Sequence, residues 1–390
     1  MILNMIVKDE AHIIKRCLDS AYHFGARDYV ILDTGSTDKT MEAIQLWASD
    51  LLGVSMHLYQ DFLPQPLDFG AAREQALNLV SHHYLPDWVL FLDADDPIVT
   101  GPDHRREWQE LIRREDPDAV NLLREGGGQV WPMIHLVHTR NCWHWQGRRD
   151  EMPVCENPNI KILSWLDGPR INIISDGARG KNRKAAMEED ISILREELEK
   201  PISPFERRQI LMNLYTREKQ SGKTLEAIKH AEELQALVEK LVDEHLTHKV
   251  LMDRARMAIE MGNQPSMVID LFLQAHERDT DRRGETFGEL GKYLNDLRRF
   301  HAAYEMLSIA VESEKPKNPL YFVDESWYSW RALDHLSVSA YWTGRYEESR
   351  NLIMRILSEG MAPETEWPRI IRNLEFTEKK LWPLDFPAAE

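Results

Sequence analysis

Apolar positions follow two different rhythms along this chain. Residues 2–7 form a short apolar run, and an amphipathic stretch through His12, Ile13, Cys17, Leu18 and Tyr22 follows it. A second apolar run, Tyr29-Val30-Ile31-Leu32, then completes a strand-helix-strand pattern. The turn Asp33-Thr34-Gly35-Ser36-Thr37-Asp38 carries helix-capping side chains, and residues 39–47 continue at helical spacing. Residues 54–59 predict a third strand, 70–82 a helix and 88–92 a fourth strand. Such alternation predicts a largely parallel sheet with crossover helices, which places ligands at the carboxyl ends of its strands.

Beyond about residue 100 the pattern becomes hairpin-like. Strands are predicted at 119–123, 130–139, 160–165 and 171–174, with Gly126-Gly127-Gly128 as a turn. From Asn182 the strand signals stop and long amphipathic helices take over, so the predicted division is an α/β domain over 1–185 and an all-α domain over 186–390. Helix-turn-helix units recur around Ser221-Gly222, Met261-Gly262, Asn295-Asp296-Leu297-Arg298 and Thr343-Gly344. Their spacing scatters around the roughly 34-residue period of tetratricopeptide repeats, which predicts degenerate repeats of that type.

With 390 residues the chain exceeds one compact core, in keeping with two domains. Its formal net charge of -17 has no basic block, which argues against a large electrostatic footprint for nucleic acid or anionic membrane. Three cysteines, Cys17, Cys142 and Cys155, without a Cys-x-x-Cys pair, read as free thiols in a reducing compartment. No apolar run reaches the roughly 20 residues of a membrane span, so a cytoplasmic location is expected.

The candidate chemistry sits where strands end. Trp88-Val89-Leu90-Phe91-Leu92 runs directly into Asp93-Ala94-Asp95-Asp96. Clustered carboxylates at a buried strand tip repel one another, and a divalent cation relieves that repulsion. A solvated turn with Asp96 as a helix cap is the plain structural alternative. The tips after the first and second strands bring Lys8-Asp9-Glu10 and Asp33-Thr34-Gly35-Ser36 to the same edge. Asp33 suits a base imide, Glu10 or Asp93 ribose hydroxyls, and Asp95 a cation shared with a diphosphate. Neither a Gly-x-Gly-x-x-Gly nor a Gly-x-x-x-x-Gly-Lys-Ser/Thr sequence is present.

Four ordered segments, Ile6-Val7-Lys8-Asp9-Glu10, Val30 to Thr40, Asp68-Phe69-Gly70-Ala71-Ala72-Arg73 and Phe91 to Asp96, resemble family 2 glycosyltransferases. The resemblance extends to the subgroup with a tetratricopeptide-like tail, which includes bacterial peptide S-glycosyltransferases and phage relatives. It implies a GT-A nucleotide-sugar domain and transfer of a hexose from a nucleotide diphosphate donor, by default UDP-glucose, with inversion. Mn2+ or Mg2+ held by Asp95 and Asp93 is implied as cofactor. Val7, Asp9, Glu10, Asp33, Gly35, Ser36, Asp68, Arg73 and Asp93 are the implied nucleotide-sugar residues. Arg179 and Lys181, in the basic stretch between the domains, are added as residues that close over the diphosphate.

The subgroup places its base in a Trp-x-Gly-x-Val-His-Glu pattern. Here the segment is Trp145-Gln146-Gly147-Arg148-Arg149-Asp150-Glu151, with Asp150 in place of His and Arg149 in place of the apolar residue. Glu151 is the first candidate for the catalytic base, with Asp150 as the alternative base or metal ligand. His135, His138 and His144 stay without an assigned role. The acceptor is open among a hydroxyl or thiol of a protein or peptide, a glycan, and a hydroxymethylated pyrimidine in DNA. A nucleotidyltransferase and a non-catalytic scaffold are the rival classes, and self-association through the helical domain, as a homodimer, is a further expectation.

Overall fold

A computed structural model describes residues 1–82, 87–126, 129–279, 283–316 and 323–382. Most of the predicted Gly126-Gly127-Gly128 turn lies outside them. The first elements alternate as the apolar pattern predicts: β1 (Ile2–Val7), α1 (Ile14–Phe24), β2 (Asp28–Asp33), α2 (Thr40–Ser49), β3 (Ser55–Gln60), α3 (Phe69–Val80) and β4 (Trp88–Phe91). Next come β5 (Ile98–Val99), α4 (His104–Glu115), β6 (Ala119–Gly126), β7 (Gln129–His138), β8 (Trp143–Gln146), β9 (Met152–Cys155) and β10 (Ile162–Asn172).

Eight strands form one mixed sheet in the order β3-β2-β1-β4-β7-β6-β10-β5. β1 pairs in parallel with both β2 and β4, whereas β7 runs antiparallel to β4 and extends the sheet beyond it. Side chains of β1 alternate between the two faces. Leu3, Met5 and Val7 join the core under α1 and α2, while Ile2 and Ile6 face the other side. Burial on both faces explains why this strand reads as an unbroken apolar run.

Two sequence expectations change here. The strands predicted at 160–165 and 171–174 are one strand, β10, whose register slips between Trp165 and Arg170. Helix α4 was not expected, because its surface is almost wholly charged. Its Trp108 nevertheless packs on Trp88 and Trp165, with ring centroids 5.1 and 5.8 Å apart. β8 and β9 form a separate two-stranded hairpin.

Among the described residues, helices then follow: α5 (Arg183–Leu198), α6 (Pro204–Gln220), α7 (Thr224–Lys240), α8 (Glu244–Glu260), α9 (Pro265–Glu277), α10 (Gly284–Asp296), α11 (Phe300–Glu312), α12 (Arg331–Trp342), α13 (Tyr346–Ser358) and α14 (Trp367–Leu381). The four recurring turns are built alike. Gly222, Gly262, Arg298 and Gly344 all have positive φ. In each, the next amide donates to the carbonyl five residues back: Lys223 to Glu218, Asn263 to Ala258, Arg299 to Leu294 and Arg345 to Ala340, at 2.8–2.9 Å. These are Schellman-type helix ends, each opening an antiparallel partner helix, as a tetratricopeptide-like array requires.

Two compact units emerge, Met1–Leu237 and Val238–Glu390. Strands give way to helices after β10, and α5, α6 and most of α7 fall in the unit that holds the sheet. Within the second unit, Phe272, Leu290, Leu307, Trp327 and Leu336 are among the residues of a continuous helical core.

Candidate active site

Parallel pairing of β1 with β2 sets Val7 beside Asp33, so the loops after both strands leave from one edge. Those loops are stitched together. Asp9, at φ +57°, accepts from the Thr37 amide at 2.7 Å and the Thr37 hydroxyl at 3.2 Å, while its own amide donates to Ser36 Oγ at 2.9 Å. The Val7 carbonyl accepts from the Thr34 amide at 2.9 Å. Asp9 and Ser36 therefore spend their polar atoms shaping the loop. Asp33 differs: its Oδ1 accepts from the amides of Gly35 and Ser36 at 2.9 and 2.8 Å and from Gln60 at 3.3 Å. Its Oδ2 is buried without a partner. A buried carboxylate oxygen left unbonded is costly, and it is open to an N–H donor.

The tip of β4 holds the densest charge. Arg73, on α3 and 8% exposed, donates from Nε to Glu151 at 2.5 Å and from a terminal nitrogen to Asp93. Asp96 is not a helix cap; it is buried against Arg124 of β6. Acids outnumber arginines here, and titration responds to that. Burial tends to raise Asp93, but Arg73 and Arg124 outweigh it and hold the carboxyl below its ordinary range. Burial and then Asp93 push Asp95 up, while burial, opposed by Arg124 and reinforced by Asp93 and Asp95, carries Asp96 to about 7. Burial also raises Glu151 in spite of Arg73. Among the described residues no group of three or more His, Cys, Asp or Glu forms a ready-made metal cage. An edge with surplus negative charge and raised carboxyls fits a hard cation that brings its remaining oxygen ligands with it.

Glu151 reaches this edge from the turn of the β8–β9 hairpin. Gly147 at φ +98° and Asp150 at φ +51° bend that turn. A Cβ on Gly70 would stand 2.2 Å from the Gly147 carbonyl oxygen, so only glycine lets the start of α3 approach so closely. Asp68 caps α3 by accepting from the Ala71 amide at 2.9 Å.

Asp150 takes a different partner from its neighbour. Its carboxylate meets Arg217 of α6 in two contacts, 2.5 and 2.7 Å long. Arg149 is buried, with Nε 2.6 Å from Asp190 of α5. Arg179 lies 2.7 Å from the same Asp190, and Arg217 is 3.3 Å from its other oxygen. Arg149 and Arg179 also flank the Phe69 ring at 4.8 and 4.9 Å. The structure thus assigns Asp150 and Arg179 to a structural knot that fastens α5 and α6 to the hairpin. Lys181 falls in a short 3-10 turn at Gly180–Asn182, and its side chain lies outside the described part.

The basic stretch still reaches the strand edge, by backbone. Ala178 donates its amide to Glu10 at 2.9 Å, and Arg16 pairs with Asp176 at 2.7 and 2.9 Å. A Cβ on Gly177 would come within 3.0 Å of both Asp95 and Glu10. Gly177, Gln60 and Arg124 were not expected from the sequence; their roles depend on partners more than 25 residues away. His135 bonds the Phe91 carbonyl at 2.8 Å, and burial keeps it neutral, pushing it down to about 4. His138 packs its ring on Trp88 at 4.9 Å. The cysteines are free, with Cys17 buried.

Residues 4–164 match the family described as Glycosyl transferase family 2. A TPR repeat-containing protein of Synechococcus elongatus is 38% identical over 133 residues, covering 33% of this chain and 28% of that protein. The chain thus spans little more than a quarter of that relative's length. Among solved structures, BtubC (BKLC) from P. vanneervenii gives a TM-score of 0.41 at 16% identity, covering 53% of this chain and 85% of that one. A tetratricopeptide repeat protein from Parabacteroides merdae gives 0.37 at 16% identity, covering 52% and 68%. No helix among the described residues is long and apolar enough to cross a membrane. The mixed-sheet domain at the start of this chain belongs to glycosyl transferase family 2.

Proposed function

We propose that the first domain transfers a hexose from a nucleotide diphosphate sugar to an acceptor hydroxyl or thiol, with inversion at the anomeric carbon. The observation that carries this reading is the bridge Glu151–Arg73–Asp93 at the strand edge, one oxygen of Glu151 lying 2.5 Å from Arg73 Nε. Asp33 accepts an N–H of the base through Oδ2. Asp95 and Asp93 are the residues that would hold Mn2+ or Mg2+, which when bound would offset charge on the diphosphate.

Glu151 acts as the base. Its carboxylate takes the acceptor proton as the acceptor oxygen or sulfur bonds the anomeric carbon, and the bond to the diphosphate breaks with its electron pair leaving on the nucleotide. Burial raises Glu151 above the ordinary glutamate value, which strengthens its carboxylate as a base. Arg73 positions the two carboxylates rather than contacting the leaving group. Asp150, tied to Arg217, holds the hairpin turn and takes no proton. UDP-glucose is the first donor to test.

The test is incubation with a panel of nucleotide sugars and Mn2+, measuring nucleotide release with and without candidate acceptors. Release from at least one donor supports the reading; absence of binding and hydrolysis across the panel overturns it.

A further inference from the structure

A cavity of about 330 Å³ lies on the other side of the base hairpin, lined by its turn, the start of α3 and one face of α6. Asp150 lines it, whereas the next residue, Glu151, belongs to the Arg73 cluster. Consecutive Cα atoms are about 3.8 Å apart, so the cavity and the proposed base are separated by little more than the thickness of the chain.

The lining has a definite chemistry. Phe205, Gln209 and Asn213 recur every fourth residue on α6 and all face the cavity. Trp145 lines it from β8, and its ring also lies 5.0 Å from the Arg73 guanidinium. Two of these residues carry buried donors without partners, Trp145 Nε1 and Asn213 Nδ2. Each costs free energy until an acceptor arrives. Glu74 and Glu206, whose oxygens already accept from Trp145, Asn78, Gln146 and Ser203, give the lining an acidic character, which disfavours phosphate. Aromatic surface, amides and carboxylates together suit a neutral ligand whose hydroxyls both donate and accept. The volume is at the small end for ligand pockets, enough for a sugar unit rather than a peptide segment.

We propose that this cavity binds a saccharide, the non-reacting part of a glycan acceptor. The proposal rests on the glycosyl-transfer reading and narrows its acceptor class. Trp145 and Asn213 donate to sugar oxygens, and Phe205 covers an apolar ring face.

The probes are gluco-oligosaccharides and N-acetylgluco-oligosaccharides of two to four units, with a mixed peptide pool for comparison. Nucleotide release is followed with and without each, and binding by equilibrium dialysis. At least one saccharide series is expected to bind and to accelerate release. Asn213→Leu, which removes a donor and fills space, is expected to raise the KM and the dissociation constant for that saccharide by about tenfold or more. Hydrolysis of donor without acceptor should stay within about twofold of wild type, since Asn213 is remote from the strand edge in sequence and partners. Gln209→Ala, a milder change, should move KM in the same direction. Peptides that accelerate release where saccharides do not, saccharide binding that ignores both substitutions, or no saccharide binding at all would overturn the proposal. If the wild type cleaves no donor, the transfer reading fails by itself, and the dialysis result for Asn213→Leu still decides the cavity.

Discussion

Two clusters of arginine and carboxylate flank the β8–β9 hairpin, and they differ in balance. At the strand edge, Arg73 and Arg124 face Asp93, Asp95, Asp96 and Glu151. Behind the hairpin, Arg149, Arg179 and Arg217 face Asp190, Asp150 and Glu189. The second cluster is neutral, and Asp190 is held below its ordinary range because its arginines overcome the opposing effect of burial. In the first, three of the four acids are raised. A balanced cluster is complete in itself and fastens elements together. A cluster with surplus charge is complete only with a cation or a proton in play.

The largest expected effect that separates them is on stability. Asp190→Ala strands buried Arg149 and should destabilise the first unit by about 3–5 kcal/mol in a denaturant titration. Asp95→Asn should fold as wild type but lose at least about tenfold in Mn2+-dependent donor binding, read by calorimetry with and without the metal. Unchanged donor affinity would remove Asp95 from the metal site.

Opposite pH dependences sharpen the contrast further. Asp190 titrates below its unfolded value of 3.8, so its contribution is present above 3.8 and lost as pH falls through the lower folded value. Asp96, raised to about 7, contributes below 3.8 and loses that contribution as pH climbs from about 4 to 7. Asp190→Asn should therefore flatten the acid limb of the stability profile, and Asp96→Asn the limb between about 4 and 7. The smallest effect belongs to Asp150→Asn. Its carboxylate is partly exposed and paired outside the Arg73 cluster, so transfer should fall by no more than a few-fold.

Much of the strand edge was legible because strand tips in a parallel sheet are fixed by topology. Once β1, β2 and β4 are recognised from their apolar runs, Asp33 and Asp93 have few other places to go. The conformations of Asp9 and Ser36 were not legible, since their bonds join two loops 27 residues apart. Asp150 and Arg149 mark the deeper limit. In sequence they are adjacent charged residues before Glu151, and only the approach of α5 and α6, with Asp190 and Arg217, turns them into a fastening. The cavity beside α6 was hidden for the same reason, because Asn213 and Trp145 lie far apart in the chain.

Assignment of the base is the sharpest point of the comparison, because the two candidate acids are neighbours in the chain. Single-turnover transfer by Glu151→Gln, measured beside donor binding by the same protein, addresses it. A loss of about 100-fold or more in transfer, with donor affinity kept within about twofold, is the expected result. Transfer at the wild-type rate by Glu151→Gln would contradict it and return the base to another residue.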